Sequence, residues 1–268
     1  MAGKSIVFIT GGNTGIGYET VKALLDSDRP YLVLMGSRSL DKAKSAIESL
    51  KREVPHTSSS VEAVQIDVAS DESVVKALET VKASHDRIDV LINNAGGAYD
   101  YQIREGTLTT REAWNKTFDV NVTGAYLVTT SFMPLLLKSA DPRLLFVTSG
   151  LSSLTRTSEK FYPIPNPPPA GWPKQMPLDH MCYRSTKTAL NMLMLNLHFL
   201  LTNDSVKTWC VSPGFLATGL AGLGPEELKK RGAADASIGG IFIKDVVEGQ
   251  RDTDTGKVVF NDGTVQPW

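Results

Sequence analysis

Residues 10–17, Thr-Gly-Gly-Asn-Thr-Gly-Ile-Gly, have the composition of a loop that binds a pyrophosphate. They follow the first apolar, β-branched run and open the first segment of helical periodicity, where backbone N–H groups and the helix dipole attract an anion. Glycines also serve tight packing of a helix on a strand, and it is the position directly after the first strand that favours the phosphate interpretation. The residues expected to contact a dinucleotide here are Gly11, Asn13, Thr14, Gly15, Ile16 and Gly17.

Ser37 and Arg38 end the second apolar run, where the ribose of an adenosine would lie if its pyrophosphate bound to the first turn. An acidic residue here would bind free ribose hydroxyls. Arg38 beside a hydroxyl can instead bind a 2′-phosphate through charge-assisted hydrogen bonds of about 1.5–3 kcal/mol. The pair predicts NADP(H) in preference to NAD(H). The alternative is a solvated arginine that opens the helix containing Lys42 and Lys44.

Two further polar loops follow the third and fourth apolar runs. The Asp67 carboxylate, at the end of the third, could accept a hydrogen bond from an adenine amino group or cap a turn. The sequence Asn-Asn-Ala-Gly at 93–96 follows the fourth, and its small residues and amides would let a ribose and a nicotinamide lie against the backbone. By itself this sequence is only a turn. The predicted contacts are Asp67, Val68, Asn94, Ala95 and Gly96.

Ser149, Tyr183 and Lys187 supply hydroxyl and amine groups further along the chain. Ser149 follows the fifth apolar run, in the sequence Thr-Ser-Gly at 148–150. Tyr183 and Lys187 stand at positions i and i+4 of a long helical segment, so both side chains project from one face of the helix. An exposed Tyr–Lys pair is common on helices, and the spacing in isolation favours no function.

The elements that position these loops alternate regularly between strand and helix. Strands are predicted at 5–10, 31–35, 61–68, 88–92, 143–148, 206–211 and 257–260. Helices are predicted at about 15–28, 39–52, 71–84, 109–139, 179–203 and 235–249. Strands that are solidly apolar and alternate with helices indicate a parallel sheet covered on both faces, that is, a doubly wound α/β fold of seven strands in one domain, residues 1–268. Ligands of such folds bind outside the carboxyl ends of the strands.

One segment, 155–181, breaks this rhythm. It has no clear period, seven of the chain's 14 prolines fall between Pro163 and Pro177, and no helix is expected in it. A surface excursion is one interpretation. A Pro-rich loop packed on the domain is favoured, because several of its apolar side chains are costly to leave in water. These are Phe161, Tyr162, Ile164, Trp172 and Met176.

Composition and charge exclude several classes of protein. The 268 residues are 41% hydrophobic and 21% charged, which excludes collagen, coiled coil and wholesale disorder. Lys and Arg total 28 against 29 for Asp and Glu, so no net field attracts nucleic acid or an anionic membrane. A small molecule is therefore the expected partner. The histidines show no paired ligand spacing, and no metal site is expected.

The cysteine content and the first residues predict a cytoplasmic location. Only Cys182 and Cys210 are present, which fits a reducing compartment. A predicted strand begins at residue 5 and leaves no room for a signal peptide. No apolar stretch approaches the roughly 18 residues of a membrane span, so no membrane association is expected.

In combination, these motifs make the sequence resemble a known family. The glycine turn, Asn-Asn-Ala-Gly, Asn121, Ser149, Tyr-x-x-x-Lys at 183–187 and Pro-Gly at 213–214 occur in one order on alternating strands and helices. The chain resembles a compact, single-domain short-chain dehydrogenase/reductase from about Ser5 to Gly263, nearly its whole length. The resemblance implies a Rossmann-type sheet and an oxidoreductase that transfers hydride between a nicotinamide and a carbonyl or alcohol carbon.

The resemblance also implies catalytic roles for four residues. Tyr183 corresponds to the family's proton donor, Lys187 to its helper lysine, Ser149 to the serine that polarises the substrate and Asn121 to its asparagine. A phenol with a pKa near 10 exchanges protons poorly at neutral pH, and the Lys187 ammonium beside an oxidised nicotinamide can lower that pKa. Tyr183 and Lys187 are also expected at the cofactor, and Asn121 is expected to hold a water that links Lys187 to solvent.

The family's nicotinamide loop corresponds to residues 213–218, with Pro213, Gly214 and Thr218 as cofactor contacts. Phe215 would then face the substrate. The other predicted walls of the substrate pocket are Gly97, Ala98, Tyr99, Ser149 and Trp172.

Two departures from the family pattern are informative. Asn13 stands where many NADP(H)-using relatives carry Lys or Arg, so the preference for NADP(H) depends on Arg38. Ser149 and Tyr183 are 34 residues apart, far more than in many relatives, and the Pro-rich loop accounts for the excess. Such insertions are typical of the monomeric carbonyl-reductase subgroup. In many relatives the Tyr-bearing helix packs against a second subunit, and an insertion ahead of it could cover that surface, so a monomer is predicted.

The leading hypothesis is an NADPH-dependent ketone or aldehyde reductase for a bulky, apolar substrate, because Phe161, Tyr162, Trp172 and Phe215 could line a large pocket. The alternative is a nucleotide-binding protein without redox turnover, which senses the cofactor or templates a non-redox reaction. The complete set of Asn121, Ser149, Tyr183 and Lys187 favours the first hypothesis, since a redox-silent chain has little need of it.

Overall fold

Seven strands form one sheet in the order β3-β2-β1-β4-β5-β6-β7, and every pairing is parallel. The computed structural model describes residues 4–159, 167–174, 180–220 and 222–268. The strands are β1 (Ser5–Ile9), β2 (Tyr31–Ser37), β3 (Ser60–Gln65), β4 (Val90–Asn93), β5 (Arg143–Val147), β6 (Lys207–Ser212) and β7 (Val258–Phe260). The predicted Rossmann-type α/β fold in a single domain is confirmed.

The described residues contain α-helices in all the predicted segments and three short ones that were not predicted, at 100–104, 154–158 and 225–230. They are α1 (Gly15–Leu25), α2 (Leu40–Glu53), α3 (Asp71–Ser84), α4 (Asp100–Arg104), α5 (Thr110–Phe118), α6 (Gly124–Leu136), α7 (Leu154–Ser158), α8 (Met181–Leu200), α9 (Pro225–Lys230) and α10 (Ala236–Val247). Serines cap two of the predicted ones: the Ser39 side chain accepts from the Lys42 backbone at α2, and Ser70 accepts from Ser73 at α3.

The core has two layers, one on each face of the sheet, because successive residues of a buried strand point to opposite faces. On one face Phe8 stacks on Phe132 of α6 with ring centroids 4.4 Å apart. On the other, Val7 and Ile9 join Trp209, which is completely buried. Burial on both faces explains why the strands read as solidly apolar runs.

Two predictions about helices are wrong in detail. The expected helix at 109–139 is divided into α5 and α6 by a π-helical turn, Asp119–Thr123. The segment 155–181 was expected to contain no helix, but its first residues form the end of α7, where Ser153 supplies an N-cap by accepting from Arg156 N. The predicted packing of Phe161, Tyr162, Ile164 and Met176 lies outside the described residues. For Trp172 the prediction of packing on the domain is wrong, since its side chain is 85% exposed.

The carboxyl ends of the strands meet where the strand order reverses between β1 and β4. The loops after these strands diverge there and leave the crevice in which doubly wound folds bind ligands. No helix within the described ranges is long and apolar enough to cross a membrane.

Candidate active site

The glycine turn between β1 and α1 is shaped to let a ligand approach the backbone. Gly11 and Gly15 have φ values of +64° and +56°, a region that favours glycine. A Cβ atom at Gly17 would lie 2.2 Å from the Gly11 carbonyl oxygen and 2.6 Å from Asn94 Nδ2, so only glycine fits. Within the described part of the chain, the Thr14 side chain makes no capping hydrogen bond to α1. The first N–H groups of this helix are therefore suited to an anion.

The end of β2 exposes Arg38 and buries Ser37. The Ser37 hydroxyl is engaged locally: it donates to Ser39 O at 3.0 Å and accepts from Ser39 N at 3.3 Å. Burial raises the pKa of Tyr99, and the positive charge of Arg38 opposes that rise. Arg38 is therefore within electrostatic range of Tyr99, a residue of the predicted substrate wall. Arg38 is thus the side chain of this pair that reaches solvent at the carboxyl edge.

Asp67 and Val68 follow β3, as predicted, at the same edge. One carboxylate oxygen of Asp67 accepts from the Ala69 backbone at 3.1 Å, which is the turn-capping arrangement. Val68 is buried, and its carbonyl oxygen would lie 2.5 Å from a Cβ atom at Gly124, the first residue of α6. The predicted contact of Asp67 with adenine stays a prediction.

The Asn94 side chain braces the glycine turn from the neighbouring strand. Its Nδ2 donates to the carbonyl oxygens of Thr10 at 2.9 Å and Gly11 at 3.1 Å. The Thr10 hydroxyl in turn accepts from the backbone of Asn94 and Ala95 at 3.1 and 3.0 Å. These bonds join the first two loops of the crevice into one unit. The sequence predicted that Asn94 lies at the cofactor, but it did not predict the hydrogen bonds from Asn94 to the glycine turn.

Tyr183, Ser149 and Lys187 converge between β5 and α8. Ser149 lies close enough to Tyr183 to lower the pKa of its phenol. The Lys187 ammonium donates to Val147 O at 2.7 Å and lies 5.6 Å from the centroid of the Tyr183 ring. A Cβ atom at Gly96 would lie 3.5 Å from Lys187 Nζ, so this glycine leaves room beside the amine. The i, i+4 spacing does put the tyrosine and the lysine together.

Burial dominates the ionisation of this pair. It raises the pKa of Tyr183 to about 12, against a lowering effect of Ser149, and lowers the pKa of Lys187 to about 8. The sequence hypothesis was that Lys187 beside an oxidised nicotinamide lowers the pKa of the phenol. The protein groups alone hold the phenol protonated and leave Lys187 mostly charged at neutral pH.

Lys187→Met is expected to stabilise the protein without added nucleotide at pH 7. Since the pKa of Lys187 is about 8 when folded and 10.5 in the reference state, its charge costs the folded state about 3 kcal/mol below pH 8. Methionine removes that cost but leaves Val147 O without its donor, a loss of about 1 kcal/mol. We expect a net gain of about 2 kcal/mol in the free energy of unfolding by urea.

The gain should disappear as pH rises from about 8 to 10.5, because the folded protein then holds a neutral lysine while the unfolded chain still binds the proton. The wild type therefore gains stability across that window and the variant does not. Lys76→Met, at an exposed position on α3, is the control and should show no such crossover. A variant with the same advantage at pH 7 and pH 10.5 would contradict the prediction.

The π-helical turn between α5 and α6 directs Asn121 inward. This residue is 1% exposed. Its Oδ1 accepts from Gly97 N at 2.7 Å, and its Nδ2 donates to Gly97 O at 2.8 Å and to Thr186 Oγ1 at 2.9 Å. Both N–H groups of the Asn121 side chain already donate hydrogen bonds. The predicted water that links Lys187 to solvent would therefore bind the backbone or Oδ1 of Asn121. That water stays a prediction.

The loop after β6 returns over the glycine turn. Gly214 has φ +96°, and Asn261, which the sequence analysis did not identify, donates from Nδ2 to Pro213 O at 2.7 Å. A Cβ atom at Gly15 would lie 3.7 Å from the Thr218 side chain, so the predicted phosphate and nicotinamide loops are neighbours.

The predicted substrate walls differ in how close they come to the site. The Tyr99 ring covers Gly97, where a Cβ atom would lie 2.6 Å from it. Phe215, within the predicted nicotinamide loop, is 56% exposed, whereas Trp172 is 85% exposed. Tyr99 and Phe215 are thus partly or largely exposed aromatic side chains on two of the predicted walls, and the role of Trp172 stays a prediction.

Gln266 near the carboxyl terminus is a second residue that the sequence analysis missed. It is 1% exposed, and its Nε2 donates to Ser149 O at 3.4 Å and to Ser152 Oγ at 3.0 Å. Asn191 of α8 donates to the same Ser152 hydroxyl at 2.9 Å. The loop that carries Ser149 is thus held from the terminus and from α8. Nothing in the local sequence around Gln266 indicates this contact.

Comparisons with known proteins agree with this geometry. A family model described as short chain dehydrogenase matches residues 5–163. The short-chain dehydrogenase/reductase tropE of Talaromyces stipitatus is 48% identical over 271 residues, which cover 100% of this chain and 99% of that protein. The short-chain dehydrogenase/reductase eupG of a Phoma species is 44% identical, with coverage of 99% and 98%.

Solved structures of similar fold include enzymes with nicotinamide cofactors. NADPH-bound carbonyl reductase from chicken fatty liver has a TM-score of 0.76 at 20% identity, covering 100% of both chains. An alcohol dehydrogenase from the archaeon Thermococcus sibiricus, complexed with 5-hydroxy-NADP, has a TM-score of 0.75 at 21% identity, covering 98% and 97%. These likenesses concern the fold. Together with the family model and the fungal relatives, they show that the chain belongs to the short-chain dehydrogenases/reductases.

Proposed function

We propose that this oxidoreductase uses NADPH to reduce a ketone or aldehyde group of a bulky, apolar small molecule, or oxidises the matching alcohol. The observation that carries the proposal is the convergence of Ser149, Tyr183 and the buried Lys187 ammonium, which lies 5.6 Å from the centroid of the Tyr183 ring. Two hydroxyl donors and one cation at the carboxyl edge of the sheet suit an oxygen that gains negative charge.

The crevice fits a dinucleotide. The backbone around Gly17 admits no Cβ atom, and the first turn of α1 offers N–H groups to a pyrophosphate. Arg38, exposed at the end of β2, supports a 2′-phosphate and hence NADP(H) over NAD(H). The proposed contacts are Gly11, Asn13, Thr14, Gly15, Ile16, Gly17, Ser37, Arg38, Asp67, Val68, Asn94, Ala95, Gly96, Tyr183, Lys187, Pro213, Gly214 and Thr218.

In reduction, the Ser149 and Tyr183 hydroxyls donate hydrogen bonds to the carbonyl oxygen of the substrate, and Tyr183 transfers its proton to that oxygen. The reduced cofactor, when bound, supplies the hydride. Burial keeps the phenol protonated at neutral pH, which suits a proton donor. Lys187 binds ribose hydroxyls with its ammonium, and Asn121 holds the Gly97 backbone beside the reacting groups.

The substrate side of the site favours an apolar molecule. Tyr99, which lies against Gly97, and Phe215, in the loop after β6, offer exposed aromatic surface. Trp172 lies in residues 167–174, a described part of the Pro-rich loop, and is strongly exposed. We propose that a bulky substrate contacts it.

Consumption of NADPH, followed by its absorbance with a panel of aromatic and polycyclic ketones, tests the proposal. NADH is measured in parallel. We expect at least one ketone to be reduced, with NADPH preferred by tenfold or more, since charge-assisted bonds at Arg38 contribute about 1.5–3 kcal/mol. Binding of both nucleotides without turnover of any ketone would instead support the non-redox alternative, in which the fold senses the cofactor or templates another reaction.

We also propose a monomer in the cytoplasm. Both cysteines are buried thiols, as a reducing compartment allows. Met192, Phe199 and Leu200 of α8 are more than half exposed, so the described residues do not cover this part of the helix, and the proposal of a monomer rests on the length of the Pro-rich insertion. Light scattering at micromolar protein should give the mass of one chain, 29.1 kDa. A stable dimer or tetramer would contradict the proposed role of the Pro-rich loop.

A further inference from the structure

We propose that Asp100 is a positioning residue for Tyr183, because its carboxylate fixes the first turn of α8 to the loop that follows β4. The inference rests on the proposed function, since it concerns the placement of the acid in that reaction. Asp100 is the first residue of α4 and directly follows the predicted substrate wall at residues 97–99.

Both oxygens of this carboxylate bind the start of the catalytic helix. Oδ1 accepts from Cys182 N at 2.8 Å, and Oδ2 accepts from Tyr183 N at 3.2 Å. Asp100 is 5% exposed, so these bonds are shielded from water. Within the described residues, the N-cap residue His180 makes no capping bond with its side chain. A residue 82 positions away thus caps α8, and its negative charge suits the positive end of the helix dipole.

The carbonyl group of Tyr183 is tied to the same loop by a second route. It accepts from Thr186 Oγ1 at 2.7 Å, and that hydroxyl accepts from Asn121 Nδ2. Asn121 in turn binds both backbone groups of Gly97. Hydrogen bonds therefore connect both backbone groups of Tyr183 to residues 97–100, the N–H directly and the C=O through Thr186 and Asn121. This is the segment that should also face the substrate. Small displacements of a reacting group cost large factors in rate, so such a double attachment has a catalytic consequence.

A carboxylate serves this position better than a neutral acceptor. The charged and polar groups that face the Tyr183 phenol are Ser149 after β5, Lys187 on α8 and Asp100 on α4. Burial raises the pKa of the phenol most, Ser149 opposes it, and the negative charge of Asp100 adds to the rise. Asp100 therefore holds the backbone of Tyr183 in place, and its charge also favours the protonated phenol that reduction requires.

Hydrogen exchange of the protein saturated with NADPH tests the attachment directly. We expect the Cys182 and Tyr183 amides to exchange at least about tenfold faster in Asp100→Ala, because both lose their acceptor. Asp100→Asn, which keeps one acceptor oxygen, should be intermediate. The matched control is Asp235→Ala, which removes a carboxylate that accepts from Ser237 N at the start of α10. Unchanged exchange at α8 in Asp100→Ala would overturn the proposal.

Turnover of NADPH with the ketone that the wild type reduces fastest tests the catalytic consequence. We expect kcat to fall about 10- to 100-fold in Asp100→Ala, with partial recovery in Asp100→Asn and a dissociation constant for NADPH within twofold of wild type. Asp235→Ala should keep the wild-type kcat. An equal loss in Asp235→Ala, or full activity in Asp100→Ala, would show that Asp100 has no positioning role.

Tyr183→Phe separates this failure from failure of the proposed function. If Tyr183→Phe is inactive while Asp100→Ala is fully active, only the role of Asp100 is wrong. If Tyr183→Phe turns over like wild type, the acid itself is misassigned, and the exchange measurement alone then decides whether Asp100 holds the first turn of α8.

Discussion

Tyr183→Phe is expected to lower kcat for ketone reduction by about 10²- to 10⁴-fold, the usual contribution of a positioned general acid. The phenylalanine keeps the ring, which lies 5.6 Å from the Lys187 ammonium, so the shape of the site and cofactor binding should persist. What is lost is the hydroxyl group, and with it the proton that reduction requires. The measurement is single-substrate kinetics beside a fluorescence titration with NADPH, whose dissociation constant should stay within about twofold of wild type.

Tyr126→Phe is the matched control for this loss. Tyr126 lies on α6 and is 47% exposed, so the same hydroxyl is removed from a surface position. Its kcat should equal that of wild type. Undiminished turnover in Tyr183→Phe would mean that another group donates the proton, whereas loss of NADPH binding in the same variant would mean that the hydroxyl has a structural role.

Arg38→Asp is expected to reverse the preference for the cofactor. Removal of charge-assisted bonds to a 2′-phosphate of about 1.5–3 kcal/mol lowers kcat/KM for NADPH about 10- to 150-fold. An aspartate at the end of β2 also repels that phosphate and can accept hydrogen bonds from the free ribose hydroxyls of NADH. The ratio of kcat/KM for NADPH to that for NADH, measured with one ketone, should fall below one.

Lys44→Asp, on the exposed face of α2, changes the net charge by the same amount and serves as the control. It should leave the NADPH to NADH ratio near that of wild type, because a solvent-screened charge contributes little. If Arg38→Asp leaves the ratio unchanged, the 2′-phosphate is bound elsewhere. Asn13 supplies no cation to the glycine turn, so the proposed preference for NADP(H) depends on Arg38 alone. An unchanged ratio would therefore contradict the argument for that preference.

The convergence of Ser149, Tyr183 and Lys187 was predictable to different degrees. The i, i+4 spacing required Tyr183 and Lys187 to share a face of α8, since helical geometry is local. Ser149 joined them only through the family resemblance and the rule that ligands bind at the carboxyl ends of parallel strands. No periodicity shows which residue of the loop after β5 meets α8, because the Pro-rich segment separates the two in sequence.

Asn121 illustrates what local patterns cannot show. Residues 109–139 have continuous helical periodicity, yet the helix contains a π-helical turn at Asp119–Thr123. Such turns cost backbone hydrogen-bond geometry and persist where tertiary contacts compensate. Here the compensation comes from Gly97 and Thr186, which are 24 and 65 residues away.

By itself, the sequence determined the seven strands, their alternation with helices, the glycine turn and the tyrosine–lysine face, since these follow from side-chain periodicity and backbone sterics over a few residues. Only the tertiary structure decided that Asp100 caps α8, that Asn94 braces the glycine turn and that Gln266 holds the loop of Ser149. The reason is physical. Parallel strands bring loops distant in sequence to one edge, and the hydrogen bonds among them depend on distances and angles that arise only when the layers pack.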